Sequence, residues 1–266
     1  MLNAKMLVAL ALLSTAGLAA CEDPAQNAPK ATVSSAKPLP SAKPIATPSG
    51  AASAAPATTG AAPAVAGPVK PAGAIDIQAA TSKVEFVGSK VTGKHDGKFE
   101  KFTGWIGLPG DKAEEATIHI EIDVASLKTD SEKLDGHLKT DDFFAVDTNP
   151  TATFTTTEIK VGGEKGATHT ITGNLKLRGV EKSVSFPATV KIDAKEVTAT
   201  AEFAINRKDF GIAYEGKKDD LIRDEVVIKL DIKGERTGAA APASAAPAAS
   251  SAPASGSAAP SAAPAK

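Results

Sequence analysis

The sequence predicts an all-β domain of about eight antiparallel strands with one short helix, flanked on both sides by disordered segments. Three observations predict this class. Apolar and polar residues alternate in several stretches in the middle of the chain, turn residues separate these stretches, and all nine Phe, the only Trp and the only Tyr lie within residues 74–237. Alternation with a period of two is typical of a strand with one buried face and one wet face.

The first element along the chain has the pattern of an export signal. Lys5 precedes an apolar run from Met6 to Leu13, and small residues follow up to Cys21. The run is too short to span a bilayer as a permanent helix, so residues 1–20 are predicted to be a cleaved signal peptide. Leu18-Ala19-Ala20-Cys21 resembles the bacterial lipobox. This resemblance implies that Cys21 carries a lipid and anchors an exported protein on the periplasmic face of the bacterial cell envelope, with the inner and the outer membrane both open.

The two flanking segments consist mainly of Ala, Pro, Ser, Thr and Gly. Residues 21–73 and 238–266 contain no aromatic residue and too little bulky apolar surface to offset the entropy of ordering, so both are predicted to be disordered. The first would be a tether of about 50 residues that averages about 40 Å from end to end as a flexible coil. We therefore expect the domain to stand well off its membrane.

The charge of residues 74–237 restricts the class of partner. Of the 30 basic and 31 acidic residues, six basic and two acidic ones lie outside this domain, which leaves it a net charge of −5. A nucleic-acid surface needs a basic patch with interleaved aromatic residues, so no nucleic-acid partner is expected. The sequence identifies no protein partner.

The strands follow one another at short intervals. Alternation is clean in "TIHIEIDVASL", "KSVSFPATVKI", "EVTATAEFAI" and "DEVVIKLDI", and further strands are predicted at "KVEFVGSK", "GKFEKFTGWIGL", "TATFTTTEIKV" and "HTITGNLKL". Turn residues separate them at "GKHDGK", "LPGDK", "GGEKGA", "LRGVEK" and "DAKE". In "DSEKLDGHLKTDDFF", Leu134 and Leu138 are four residues apart, which predicts a short helix with Asp130 or Ser131 as its N-cap.

Eight strands with one apolar face each favour a closed barrel, which can enclose one small ligand. A two-sheet sandwich would use the same strands and fill its core completely. Periodicity alone leaves both architectures open.

Several motifs in this region carry a family resemblance. In order and spacing, "IEIDVASLKTD", "HLKTDDFFAVDTNPTATFTTTEI", "HTITGNLKLRGVEKSVSFPATV", "AINRKDFGI" and "DEVVIKL" resemble the YceI-like family over about residues 74–236. The resemblance implies a lipocalin-like antiparallel barrel that holds a long apolar molecule, such as a polyisoprenoid, in an internal pocket. The chain departs from the family around His137, where Asp135-Gly136 stands in place of the usual Arg-Asp and Lys139 in place of Arg.

The predicted ligand site is the interior of the barrel. Small residues on inward faces, such as Ala152 and Gly173, would leave a void beside the inward Phe residues, and an empty apolar void is costly. Burying one isoprene unit is worth about 3–4 kcal/mol before the costs of association. The apolar pocket candidates are Phe86, Phe102, Ile120, Ile122, Phe143, Phe144, Phe154, Leu175, Phe186, Ala199, Ala201, Phe203, Phe210 and Ile228.

Four polar residues are candidates for the mouth of this pocket: His137, Asp142, Arg207 and Asp209. The adjacent pairs Asp141-Asp142 and Phe143-Phe144 have three interpretations. They form a structural corner or a pocket mouth, or the two aspartates are a catalytic carboxylate pair, which is the least well supported interpretation. Arg207 and Asp209 either pair with each other to stabilise a turn or bind a polar headgroup.

No catalytic residue and no metal site is predicted. No nucleophile or base accompanies the two aspartates, and no two histidines stand at metal-ligand spacing. The leading hypothesis is a non-enzymatic, membrane-tethered binding module without a cofactor, whose ligand is a lipid such as a polyprenyl or a quinone. The alternative is a structural or envelope-stress lipoprotein with a solid barrel and no ligand.

Overall fold

A computed structural model describes residues 23–39 and 68–236. The predicted signal peptide, Cys21, residues 40–67 of the predicted tether and the predicted C-terminal tail lie outside the described residues. Among the described residues, the helices are α1 (Pro24–Asn27) and α2 (Glu132–Leu138), with short 3-10 turns at Pro109–Asp111, Ala113–Glu115, Val124–Ser126, Glu164–Gly166 and Arg207–Phe210. None of the helices in these two ranges has the length and hydropathy needed to cross a membrane.

The strands of the described residues follow the eight predicted stretches, except that residues 32–35, 75–78, 216–217 and 220–221 were not predicted as strands, and residues 93–98, predicted as a turn, belong to a strand. They are β1 (Thr32–Ser35), β2 (Ile75–Gln78), β3 (Lys83–Lys90), β4 (Gly93–Phe99), β5 (Phe102–Gly107), β6 (Thr117–Asp123), β7 (Leu127–Thr129), β8 (Thr151–Val161), β9 (His169–Leu177), β10 (Val180–Ile192), β11 (Glu196–Asn206), β12 (Gly216–Lys217), β13 (Asp220–Leu221) and β14 (Glu225–Glu235).

Eleven of these strands form eight units, and the eight units close into an antiparallel barrel. Three units are interrupted and consist of β2 with β3, β4 with β5, and β6 with β7, while β8, β9, β10, β11 and β14 are continuous. Each unit pairs with the next one along the chain, and β14 pairs with both β11 and the β2–β3 unit, so the ring is complete. The closed ring confirms the predicted barrel and excludes the two-sheet sandwich.

The two ends of the barrel differ in their packing. The end that carries the start of β2 and the end of β14 is filled by branched aliphatic side chains, including Ile75, Ile106 and Ile232. The opposite end carries α2, the β9–β10 turn and the loop between β11 and β14. We call the first the closed end and the second the mouth end.

Helix α2 forms where its leucine spacing predicted it, and Ser131 is its N-cap. A buried carboxylate attaches the helix to β7. Asp135 Oδ1 accepts hydrogen bonds from the backbone N–H and the hydroxyl of Thr129, both at 2.7 Å. The Thr129 hydroxyl, with the help of Lys128, holds the pKa of Asp135 below its usual range although burial opposes this. These contacts hold α2 against the mouth end.

The prediction of disorder is wrong for the start of the tether. Residues 24–27 form α1, and β1 pairs in antiparallel register with residues 182–185 of β10. The N–H of Ala31 donates to the carbonyl of Ala204 at 2.9 Å, and the N–H of Ala204 donates to the carbonyl of Pro29 at 2.8 Å. The segment therefore lies between β10 and β11, where these two strands separate.

The separation of β10 and β11 explains why this part of the chain is ordered. The two strands pair only over residues 189–192 and 197–200, so both have unpaired backbone groups nearer the mouth end. Buried backbone donors and acceptors need partners, and residues 29–35 supply them. The sequence composition could not predict this, because backbone pairing needs no bulky side chain.

Candidate functional site

The barrel contains an apolar cavity in its middle, which we call the inner chamber. Its volume is about 130 Å³. Its walls come from β3, β4, β6, β8, β9, β10, β11 and β14, so all eight barrel units contribute. Every lining side chain except Arg207 is a hydrocarbon: Val84, Phe86, Phe99, Ile120, Ile122, Phe144, Ala152, Phe154, Leu175, Leu177, Val184, Phe186, Phe203, Ile205, Ile212, Val226, Ile228 and Leu230.

A second cavity, the outer chamber, adjoins the first at the mouth end. Its volume is about 340 Å³. The two chambers share Phe86, Phe144, Arg207, Ile212 and Val226. The outer chamber adds polar groups to the wall, among them Lys90, His95, His137, Tyr214 and Asp220. The site thus changes from purely apolar in the barrel interior to mixed near the solvent.

Aromatic rings shape both chambers. Phe186 and Phe203 stack with ring centroids 4.1 Å apart and join β10 to β11 from the inside, at the level where the two strands separate. Phe86, Phe99 and Phe144 form a second group with centroids 5.6 to 6.5 Å apart. Offset and edge-on arrangements of this kind are favourable beyond the area that they bury.

Two glycines make room for these rings. A Cβ atom at Gly97 would lie 2.2 Å from the ring of Phe86, and one at Gly173 would lie 2.4 Å from the ring of Phe154. Contacts this short do not occur between real side chains, so the rings lie directly against the backbone of β4 and β9. At Gly173 the predicted void is therefore occupied by an aromatic side chain of the same protein.

Ten of the fourteen predicted pocket residues line one of the two chambers. Phe86, Ile120, Ile122, Phe144, Phe154, Leu175, Phe186, Phe203 and Ile228 line the inner chamber, and Phe143 lines the outer one. Alternation along the strands identified eight of these residues, because inward and outward side chains follow a period of two. Phe143 and Phe144 follow α2 and were predicted from the corner at residues 141–144.

The other four predicted pocket residues do not line either chamber. Phe102, Ala199 and Phe210 are buried in the hydrophobic core, and Ala201 lies along a shallow groove beside Pro187 and Thr200. The sequence predicted correctly that these strand residues point inward, but it did not predict their position along the barrel axis. Ala199 pairs with Ile232 near the closed end, where large aliphatic neighbours fill the space that a small residue leaves.

Arg207 is the buried cation of the site. Its side chain is 4% exposed, and it donates hydrogen bonds to the carbonyl oxygens of Ile212 (2.7 Å), Arg223 (3.0 Å) and Ile222 (3.3 Å). Burial lowers the pKa of the Arg207 guanidinium, and the carboxylates of Asp224 and Glu215 oppose this effect. Arg207 thus holds the loop between β11 and β14 against the chamber wall.

The carboxylate that pairs with Arg207 was not predicted correctly. Asp224 Oδ1 lies 3.2 Å from the guanidinium, whereas Asp209, the predicted partner, is exposed. Residue 209 belongs to the 3-10 turn that follows β11, and residue 224 immediately precedes β14, which pairs with β11 along its whole length. Asp224 is therefore close to Arg207 in space although it is 17 residues away in sequence.

The predicted corner at residues 141–144 contributes to the wall of the outer chamber. Phe143 is buried and its ring contacts His137 and Tyr214, with centroids 5.0 and 5.3 Å away. His137 Nε2 lies 3.2 Å from Asp142 Oδ2 at the surface. Asp141 and Asp142 are both exposed, which is not the buried environment that separates the pKa values of a catalytic pair.

Arg178 joins the two loops around the mouth. Its guanidinium donates to the carbonyl oxygens of Asp141 (2.7 Å) and Gly211 (2.5 Å). Sequence reasoning missed this residue, as it missed the lining residues Phe99, Ile212 and Tyr214. Phe99 lies at the end of an interrupted strand and the other two lie in the last loop, so no period of two identified them.

Within residues 23–39 and 68–236, no three His, Cys, Asp or Glu side chains lie close enough together to hold a metal ion. The walls of the two chambers in these ranges are those of an apolar cavity with a charged and hydrogen-bonding rim.

The barrel domain is similar to known proteins. Residues 76–234 match the model of the YceI-like domain. A UPF0312 protein of Pseudomonas putida (strain W619) is 34% identical over 139 residues, which cover 50% of this chain and 71% of that protein. A UPF0312 protein of Pseudomonas paraeruginosa (strain DSM 24068 / PA7) is 32% identical over 148 residues, which cover 53% of this chain and 73% of that protein.

Two solved structures have a similar fold. The crystal structure of Burkholderia cenocepacia BcnA has a TM-score of 0.52 and 28% identity and covers 59% of this chain and 98% of that one. A polyisoprenoid binding domain from Saccharophagus degradans, implicated in plant cell wall breakdown, has a TM-score of 0.50 and 19% identity and covers 62% of this chain and 99% of that one. At 19% identity the second likeness supports the fold alone.

Proposed function

Because this chain belongs to the YceI-like domain family and its barrel encloses an apolar cavity, we propose that it is a binding module for a long apolar lipid in the bacterial cell envelope. Candidate ligands are a polyisoprenoid and an isoprenoid quinone. One observation carries the proposal: the inner chamber is walled by hydrocarbon side chains, with Arg207 as the exception. We further propose that Cys21 is acylated and tethers the module to a membrane.

The proposed ligand fits the polarity of the two chambers. An apolar chain in the inner chamber would contact the aromatic and aliphatic walls and would gain about 0.8 kcal/mol for each buried CH₂ group. A polar end group would lie in the outer chamber, where Lys90, His95 and His137 line the wall. This division matches the usual form of a ligand pocket, which is mostly apolar with a few polar groups that set orientation.

The test of lipid binding is extraction. The full chain is purified from bacterial membranes, and the variant Cys21→Ser, produced without its signal peptide (residues 1–20), is purified from the soluble fraction without detergent, so that no detergent enters the chambers. After denaturation with organic solvent, mass spectrometry should find one class of long-chain lipid in amounts comparable with the protein. If the Cys21→Ser protein yields no lipid and binds no added polyprenol or quinone, the module has no ligand and the alternative of a ligand-free lipoprotein is correct.

The test of tethering uses the same substitution. Cys21 is the only cysteine of the chain, so Cys21→Ser removes the only thiol that can carry a diacylglycerol. We expect the full-length variant to keep its signal peptide and to incorporate no labelled fatty acid. In detergent phase partitioning it should be recovered in the aqueous phase. Two acyl chains give stable anchoring, so the native protein should stay in the detergent phase. Normal processing and partitioning of Cys21→Ser would exclude the acylated tether.

A further inference from the structure

The structure attaches the start of the predicted tether to the barrel wall. Asp23 Oδ2 forms an ion pair with Arg223 at 2.9 Å, and Asp23 Oδ1 accepts a hydrogen bond from the N–H of Ala25 at 3.0 Å. Ala25 and Ala28 are buried against outward-facing residues of β3, β11 and β14, namely Val87, Ala204 and Val227. The segment is therefore attached to the barrel from its first described residue onward.

The attachment continues beyond α1. Strand β1 pairs with β10, and the side-chain amide of Asn174 on β9 both donates to and accepts from the backbone of Lys37, at 2.7 and 3.0 Å. Asn174 points outward from β9, on the same face as Thr172 and Lys176, and is nevertheless buried. A buried amide needs such partners, so the contact is a specific one. All these residues from 23 to 37 lie outside the matched family domain, which begins at residue 76.

The attachment point lies beside the entrance of the site. Arg223, the partner of Asp23, follows Ile222, which lines the outer chamber. The N–H of Arg223 donates to the carbonyl of Ser89, another residue of the outer chamber, at 2.9 Å. The carbonyl of Arg223 accepts from Arg207, which lines both chambers. Asp23 is thus held at the mouth end of the barrel.

Covalent geometry then limits the distance to the proposed lipid anchor. Only Glu22 separates Cys21 from Asp23, and two trans peptide units span at most about 7 Å. With the lipid proposed on Cys21, the tether between the anchor and the barrel is therefore one residue long, and this proposal replaces the expectation of a domain that stands well off its membrane. A lipid on Cys21 cannot enter a bilayer unless the mouth end comes close to the headgroups.

We propose that the mouth end of the barrel lies on the membrane surface, with the outer chamber beside the lipid headgroups and the closed end pointing away. The inference rests on the proposed acylation of Cys21 and deepens the proposed function, because an apolar ligand would pass between the bilayer and the barrel without crossing open water. The partner of this surface is a phospholipid bilayer.

The experiment measures which end of the acylated full-length protein is close to lipid. Since acylation consumes the only native thiol, one introduced cysteine can be labelled selectively with a fluorophore. Lys218→Cys places the label on the exposed turn between β12 and β13 at the mouth end, and Lys195→Cys places it on the exposed turn between β10 and β11 at the closed end. The proteins are reconstituted into vesicles of phosphatidylethanolamine and phosphatidylglycerol that contain a nitroxide-headgroup lipid.

The two labels should be quenched very differently. Strands of 11 residues such as β8, at the usual barrel tilt, separate the two ends by roughly 25–30 Å, and nitroxide quenching needs near-contact. We expect quenching at residue 218 to be at least about threefold stronger than at residue 195. Insertion of 20 Gly/Ser residues between Glu22 and Asp23 lengthens the tether by about 25 Å and should abolish the difference while leaving the barrel unchanged.

Each contrary outcome overturns the proposal and identifies the step that fails. Equal quenching at both positions, stronger quenching at residue 195, or a difference that survives the 20-residue insertion would overturn the orientation in a protein that is still tethered. If the protein does not associate with the vesicles, Cys21 is not acylated, and the proposed orientation is overturned because it rests on that acylation. Lipid extraction from the Cys21→Ser variant is independent of all these outcomes, so a failure of orientation is distinguishable from a failure of lipid binding.

Discussion

Replacing Arg207 with methionine is expected to lower the free energy of unfolding by about 2–4 kcal/mol. The guanidinium of Arg207 donates to three backbone carbonyl oxygens and to Asp224. Methionine replaces the aliphatic stem of arginine but has no donor, so the carbonyl oxygens of Ile212 and Arg223 lose their buried partner. A buried acceptor without a partner costs about 1–3 kcal/mol.

The measurement is urea unfolding followed by circular dichroism, with the full chain carrying Cys21→Ser as the reference protein. Lys208→Ala is the matched control, because Lys208 also pairs with Asp224, at 2.9 Å, but both side chains of that pair are more than 40% exposed. Exposed pairs contribute about 0–1 kcal/mol, so this variant should unfold near the reference midpoint. Equal destabilisation by both substitutions would contradict the buried role of Arg207.

Replacing Ala152 with leucine is expected to reduce the amount of co-purified lipid about tenfold, which corresponds to about 1.4 kcal/mol of binding free energy. Ala152 is buried and lines the inner chamber, so the carbon atoms of the added isopropyl group occupy space that the ligand would use. Because they fill a cavity, the free energy of unfolding of the empty protein should stay the same or rise.

Ala199→Leu is the matched control for this prediction. Ala199 is also a buried alanine on an inward strand face, but it packs in the filled part of the barrel. The same enlargement should therefore overpack the core and cost about 1–3 kcal/mol of stability, while the lipid content of the folded protein is unchanged. Mass spectrometry of solvent extracts and urea unfolding measure the two effects. If both variants lose stability and neither loses lipid, the ligand does not occupy the inner chamber.

The sequence by itself determined the elements and the direction of their side chains. The strand residues from Val84 to Ile228 that face the interior follow a period of two, and the alternation that a pleated strand imposes is a local property. The leucine spacing of α2 is local in the same sense. For this reason alternation identified most residues of the chamber walls, and the family motifs supported the same barrel.

Only the tertiary structure decided which inward residues line a cavity. Ala152 and Ala199 have the same size and the same inward direction, but the stagger of neighbouring strands places one beside the inner chamber and the other among large aliphatic side chains. The stagger is a property of the closed ring and not of any single strand. The pairing of Arg207 with Asp224 in place of Asp209 depends on the same ring, because it needs β11 and β14 to lie side by side.

The position of the N-terminal segment was also decided by the tertiary structure. Residues 23–37 contain no aromatic or large aliphatic side chain other than Val33, so their composition predicts disorder. They are ordered because β10 and β11 separate toward the mouth end and leave backbone donors and acceptors that the segment can pair with. Backbone hydrogen bonding is available to nearly every residue, which is why composition could not predict this interaction.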